Sequence, residues 1–203
     1  MSLSPEVRAG WCAFTELYEG KIPWPYLDVK GLVTVGLGCL VDPLPRALDA
    51  GVPEGVWDTV KAMPAGLLPG HYRCGWQMTD AQIEALAVRR LDSDLPYLEH
   101  VFGDLSALPV EVQFAICSVD WACGAGWPGE FPRATSAILA ENYACPACVS
   151  CATKAEFEAH RKGCASAAAQ LRIREAGNPG VVPRNARNVN LLRRAAGATA
   201  DLV

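Results

Sequence analysis

Glu19-Gly20-Lys21-Ile22-Pro23-Trp24-Pro25-Tyr26-Leu27-Asp28-Val29-Lys30-Gly31-Leu32-Val33-Thr34-Val35-Gly36-Leu37-Gly38 reads as sheet inside a chain that otherwise reads as helix. Pro23 to Asp28 makes a first short strand, and Leu32 to Val35 a second, with the turn at Val29-Lys30-Gly31. If the loop has those three residues, Asp28 faces Leu32 and Tyr26 faces Thr34. Asp28 and Thr34 then share one face of the ribbon, because side chains alternate sides with period two. A two-residue loop at Lys30-Gly31 separates them. Glycine third in the loop suits the three-residue turn with a bulge, but both registers stay open.

Helical signals surround this stretch. Ser4-Pro5 is a cap with proline at the first helical position, followed by Val7, Trp11, Phe14 and Tyr18 at helical spacing up to Gly20. Residues 41–78 are rich in proline and glycine, with a short helical candidate from Val56 to Ala62. Thr79 with Gln82 forms a capping box that opens a helix carrying Ile83, Leu86, Leu91 and Leu95. Further helices are expected at Pro109–Cys123, Pro132–Asn142, Thr153–Ala176 (a second capping box, with Glu156) and Pro183–Ala196, with a break at Asn178-Pro179-Gly180. The class is therefore α+β and mostly helical: a small N-terminal hairpin sheet and a helical C-terminal part. We expect one catalytic domain over 1–203, with a small lobe at about 20–78 and a helical lobe at about 79–203.

Composition bounds the function. The 203 residues are 51% hydrophobic and 20% charged, which excludes a disordered chain. A net charge of −4 argues against coating nucleic acid by phosphate neutralisation. Between 161 and 200, however, Arg161, Lys162, Arg172, Arg174, Arg184, Arg187, Arg193 and Arg194 face the single acid Glu175, a stripe expected to be the solvated face of helices. The start, Met1 to Glu6, lacks a cationic leader and an apolar core, so no cleaved signal peptide is expected. The most apolar stretch, Phe114 to Trp127, is too short and too interrupted to span a bilayer.

There are nine cysteines. Cys12, Cys39, Cys74, Cys117 and Cys123 lie among apolar neighbours, where a thiol packs as a small hydrophobe. Cys145, Cys148 and Cys151 recur every third residue, followed by His160 and Cys164. Such donors can close a zinc tetrahedron, but the run is not read as one of the tight two-plus-two patterns, and a disulfide or no bond at all are the alternatives. No metal and no cofactor is assigned.

A carboxyl at a helix end, Glu19, looking onto a second carboxyl, Asp28, and a hydroxyl, Thr34, is equipment for glycoside hydrolysis. One acid protonates the leaving oxygen while a carboxylate activates water or attacks the sugar carbon. The plain alternative is an exposed helix-end Glu, a turn Asp and a strand Thr. Glu16, one turn before Glu19, is a rival acid.

The run Glu19-Gly20, Tyr26-Leu27-Asp28 and Gly31 to Gly38 resembles the phage-type lysozymes and endolysins, glycoside hydrolase family 24. Their signature is a glutamate, eight residues, Asp or Cys, five residues, then Thr, which Glu19, Asp28 and Thr34 match. Met78 to Asp94 resembles the family's central helix, Phe114 to Gly126 its buried helix and glycine turn, and Pro183 to Arg187 its arginine-bearing C-terminal helix. Three departures stand out. Cys39 replaces the family's His after Gly-x-Gly, so any ion pair made there is lost. The Asn before the central glycine turn appears as Ala122 or Cys123. Residues 41–77 and the cysteine-rich stretch look like additions.

The resemblance implies a lysozyme-like fold and a muramidase that cuts the β-1,4 bond between N-acetylmuramic acid and N-acetylglucosamine of peptidoglycan, causing cell lysis. In it Glu19 is the general acid, Asp28 positions or activates water, and Thr34 helps hold that water; a covalent route through Asp28 is the stereochemical alternative. Arg184 or Arg187 would pair with Glu19, Asp120 is a further polar candidate, and Trp57 and Trp76 are candidates for stacking on sugars. We expect a monomer without nucleic-acid partners or stable membrane insertion, made in the cytoplasm and reaching the wall through another factor such as a holin. The rival functions are a lytic transglycosylase, a non-catalytic wall-binding or virion protein, and a zinc-organised interaction module.

Overall fold

The computed structural model describes residues 3–176 and 181–202. It is a mostly helical α+β structure with one three-stranded antiparallel sheet. In chain order the elements are α1 (Pro5–Glu19), β1 (Ile22–Leu27), β2 (Val33–Gly36), β3 (Cys39–Leu40), α2 (Leu44–Asp49), α3 (Glu54–Lys61) and α4 (Asp80–Phe102). There follow α5 (Val110–Cys123), α6 (Trp127–Glu130), α7 (Pro132–Leu139), α8 (Pro146–Ser150), α9 (Lys154–Arg161), α10 (Ala167–Gln170) and α11 (Val181–Ala195). Two compact units partition the chain: Cys12–Arg90, and Met1–Trp11 with Leu91–Val203. Among the described residues, no helix is long and apolar enough to cross a membrane.

In the unit Cys12–Arg90 the sheet order is β1-β2-β3. Tyr26 pairs with Thr34 and Leu27 with Val33, and the Asp28 N–H donates to the Leu32 carbonyl at 2.9 Å. The loop therefore has three residues, Val29 to Gly31, and Gly31 takes the positive φ of +74° that closes it. Pairing slips between Ile22 and Tyr26, where Pro23 and Pro25 have no N–H to give. Val33, Val35, Leu37 and Cys39 are buried; α3 packs on β1 and β2, and Ile83 of α4 lies against Gly36. The capping box of α4 is formed: the Thr79 N–H donates to Gln82 Oε1 at 2.8 Å, and the Gln82 N–H to Thr79 Oγ1 at 3.3 Å. The proline-rich segment before it also folds α2 and a 3-10 turn at Pro69–Tyr72, which composition alone concealed.

The other unit is built on α5, buried almost all round, with α11 packed along it. Trp127 stacks on Phe102 with ring centroids 5.5 Å apart, and Trp11 meets Trp121 edge-on at the same separation. The helix expected from Thr153 to Ala176 ends at Arg161 instead. Its capping box is present, but after Gly163 the Ala167 and Ala168 N–H groups donate to the carbonyls of Asn142 and Tyr143, both at 2.8 Å. Tertiary partners outbid helical ones there. The expected break at Asn178-Pro179-Gly180 lies outside the described residues.

The C-terminal basic stripe is only partly a solvated face: Lys162, Arg174 and Arg194 are exposed. Arg184 and Arg193 are buried, Arg161 and Arg172 pair with Glu158, Arg172 also with Glu175, and Arg194 with Asp201. Arg193 is the most committed: its guanidinium donates to the carbonyls of Cys148 (2.8 Å), Val149 (3.0 Å), Cys151 (2.7 Å) and Ala200 (3.2 Å). The Cys148, Val149 and Cys151 carbonyls stand at the end of the short α8, beyond its intrahelical bonds, so one planar fork satisfies several orphan acceptors. Arg193→Met is expected to cost about 3 kcal/mol by leaving them dry and unpaired. In a thermal melt followed by circular dichroism the midpoint should fall by roughly 6–12 °C, with Arg193→Lys falling between the two.

Candidate active site

α1 stops at Glu19 because Gly20 adopts φ +67° and its N–H closes onto the Glu16 carbonyl at 3.0 Å. The half-buried Glu19 side chain then lies against the backbone of Gly38, which follows β2. A Cβ at residue 38 would stand 2.7 Å from Glu19 Oε2, and Gly38 holds φ +77°. Glycine suits the backbone conformation there, and its bare Cα leaves the space that the Glu19 carboxylate takes. The carbonyl of the same Gly38 accepts from Arg90 Nη1 at 3.3 Å. Cys39 feels both charges: burial pushes its thiol up to about 12, Arg90 pulls down and Glu19 pushes up.

Asp28 turns the hairpin with its own side chain. Oδ1 accepts from the Lys30 N–H at 2.8 Å and from the Leu32 N–H at 2.9 Å. That fixes the carboxylate and leaves these bonds off Oδ2. Tyr26, two residues earlier on the same strand, has its phenol pushed up to about 12 by burial and then by the Glu19 and Asp28 carboxylates. Both acids therefore lie within electrostatic reach of one phenol, which stays protonated at neutral pH. Opposite Tyr26 in the register, buried Thr34 donates its hydroxyl to the Leu32 carbonyl at 3.4 Å.

No protein-family model and no curated protein matches the chain. The site must be read from its own geometry.

Of the other candidates, Glu16 is exposed and faces Lys21 at 3.7 Å. Trp57 carries Lys61 Nζ over its ring at 5.8 Å, and its indole N–H is buried without a partner. Trp76 lines a surface pocket of about 320 Å³ with Trp24 and Arg73, whose guanidinium covers the Trp24 ring at 4.3 Å. Asp120 is fully buried on α5, and Arg184 donates to the Ser118 carbonyl at 2.8 Å; both act on the Cys123 thiol, which burial raises first. Arg187 is half-buried on α11. Cys145, Cys148, His160 and Cys164 come together, whereas Cys151 does not join them: its Sγ lies 3.2 Å from the Ala147 carbonyl, one turn back. Arg90 and Tyr26 are the participants that sequence reading missed. Arg90 is 52 residues from its partner Gly38, while Tyr26 was visible as the residue facing Thr34.

Two glycine substitutions separate backbone from site. Gly20 and Gly38 both have positive φ, but nothing lies within 4 Å of a Cβ on Gly20. Alanine at either position should cost about 1–2 kcal/mol in urea unfolding. Gly38→Ala alone should also displace the Glu19 carboxylate, whose flexible end gives way before the backbone does; crystal structures of the two variants read this directly.

Proposed function

We propose that the chain is a peptidoglycan hydrolase, a muramidase that cleaves the β-1,4 bond between N-acetylmuramic acid and N-acetylglucosamine. The carrying observation is the meeting of a half-buried helix-end carboxylate, Glu19, with a hairpin that presents Asp28 and Thr34 around a common phenol. The lysozyme-like architecture, an action on the bacterial wall and a monomeric working form belong to the same proposal.

In this reading Glu19 donates a proton to the glycosidic oxygen as the C–O bond breaks. Asp28 Oδ2 takes a proton from the water that adds to the sugar carbon, so one proton enters and one leaves. The Oδ1 bonds to Lys30 and Leu32 hold the base in one rotamer. Thr34 Oγ, already donating to the Leu32 carbonyl, has lone pairs left to accept from that water. Arg90 is a positioning residue: it bonds the Gly38 carbonyl beside which Glu19 rests. It brings positive charge to the neighbourhood where Cys39 replaces the histidine of the resembled family.

The test is hydrolysis of purified peptidoglycan with analysis of the released ends. Glu19→Gln should fold normally and lose roughly 10²–10⁴ of the turnover, the usual worth of a positioned acid. Asp28→Ala should lose most activity, while Glu16→Gln, at the end of an exposed ion pair, should keep it. Reducing ends are the expected product. Anhydro-sugar ends would make the chain a lytic transglycosylase, and full turnover by Glu19→Gln would remove the assignment.

A further inference from the structure

Residues 143–170 have little core of their own. Three short helices, α8, α9 and α10, have five, eight and four residues, well below the length at which a helix is stable alone. Between them the chain gathers four soft or borderline donors. Cys148 Sγ and Cys164 Sγ are 3.5 Å apart, Cys145 Sγ and Cys164 Sγ 3.5 Å, and Cys145 Sγ and His160 Nε2 3.1 Å. All four donor atoms lie within 4.8 Å of one another.

We propose that Cys145, Cys148, His160 and Cys164 bind one zinc ion as a closed structural site. A tetrahedron with Zn–S near 2.3 Å and Zn–N near 2.0–2.1 Å has S···S edges of about 3.8 Å and S···N edges of about 3.5 Å. Three of the six separations sit within a few tenths of an ångström of those edges and the rest lie within 4.8 Å, so binding needs shifts of about an ångström or less rather than a new fold. The sequence pattern is two knuckles, Cys-x2-Cys and His-x3-Cys, separated by eleven residues. Each is locally built. Cys145 caps α8 with its Sγ accepting the Cys148 N–H at 3.4 Å, and the Ser166 N–H points at Cys164 Sγ at 3.5 Å. Such N–H groups support the thiolate form of a ligand. His160 comes from the last turn of α9, and the turn through Gly163 delivers Cys164.

Cys148 is fully buried and Cys164 nearly so, so the site does not depend on a surface loop happening to close. On binding, three thiols release their protons to water, and Zn²⁺ with three thiolates and one neutral imidazole carries a net −1. The Arg193 guanidinium, bonded to the carbonyls of Cys148, Val149 and Cys151, holds the loop and complements that charge. Four protein ligands leave no open position for water, which makes the ion a staple for this segment and not a catalyst.

The full chain, expressed with added zinc and purified under reducing conditions without chelator, should carry about one zinc by mass spectrometry of the metal. Cys148→Ser and Cys164→Ser should lose it, and Cys151→Ser should keep it. If the buried variants fail to fold, cobalt exchange on the parent chain decides. Visible bands of a four-coordinate ion with thiolate-to-cobalt charge transfer support the site; the weak spectrum of a six-coordinate ion overturns it. A folded parent chain holding less than about a tenth of an equivalent after zinc loading overturns it as well. So does loss of zinc from Cys151→Ser as complete as from Cys148→Ser, or a Cys148–Cys164 disulfide persisting under reductant in a metal-free chain.

Discussion

The carboxylate of Glu19 occupies the place where a side chain on residue 38 would have to be, and the rest of the candidate site follows from that contact. For it to form, α1 must end at Glu19, which Gly20 ensures by turning left-handed. The sheet must present bare backbone at Gly38, again at positive φ. Arg90 must reach the same backbone from α4 to bond the Gly38 carbonyl. Three elements thus converge on one glycine. The carboxylate is half-buried as a result, beside a thiol and a phenol that both resist ionisation.

The place of the hairpin is legible because its information is local, but its register is not. Gly31 at positive φ suits a two- or a three-residue loop, and it is the Asp28 to Leu32 backbone bond that sets Tyr26 opposite Thr34. Both capping boxes are legible because they too are local. A capping box, however, says where a helix starts and nothing about where it stops. The helix opened at Thr153 ends at Arg161 because N–H groups further on find carbonyls at Asn142 and Tyr143, some twenty-five residues back. Arg90 is illegible for the same reason, since no local pattern ties it to Gly38.

The cysteine run shows how an even spacing misleads. Cys145, Cys148 and Cys151 recur every third residue and invite reading as a triplet. The first two, at the N-cap and within the short helix α8, turn toward one point, while Cys151 Sγ leans back to the carbonyl four residues earlier. Once Cys151 is set aside, what remains is two pairs, each with the spacing of a metal-binding knuckle. The basic stripe misled in the same way. Its arginines are spaced like an exposed face, yet Arg193 is needed inside to satisfy carbonyls that the end of so short a helix leaves over.

Burial also sorts the carboxylates by the work open to them. Asp120 is fully buried on α5, with the buried Arg184 acting on the same Cys123 thiol from α11. A carboxyl buried that deep is costly to place unless its neighbours compensate it. It cannot receive a sugar or a water molecule without opening the core. Glu19 and Asp28 are each only half-buried, and Asp28 commits one oxygen to its turn while the other takes no part in it. Proton transfer to a glycosidic oxygen requires contact with it, so accessibility decides the assignment before acidity does. By that criterion the proposed chemistry is open to Glu19 and Asp28 and closed to Asp120.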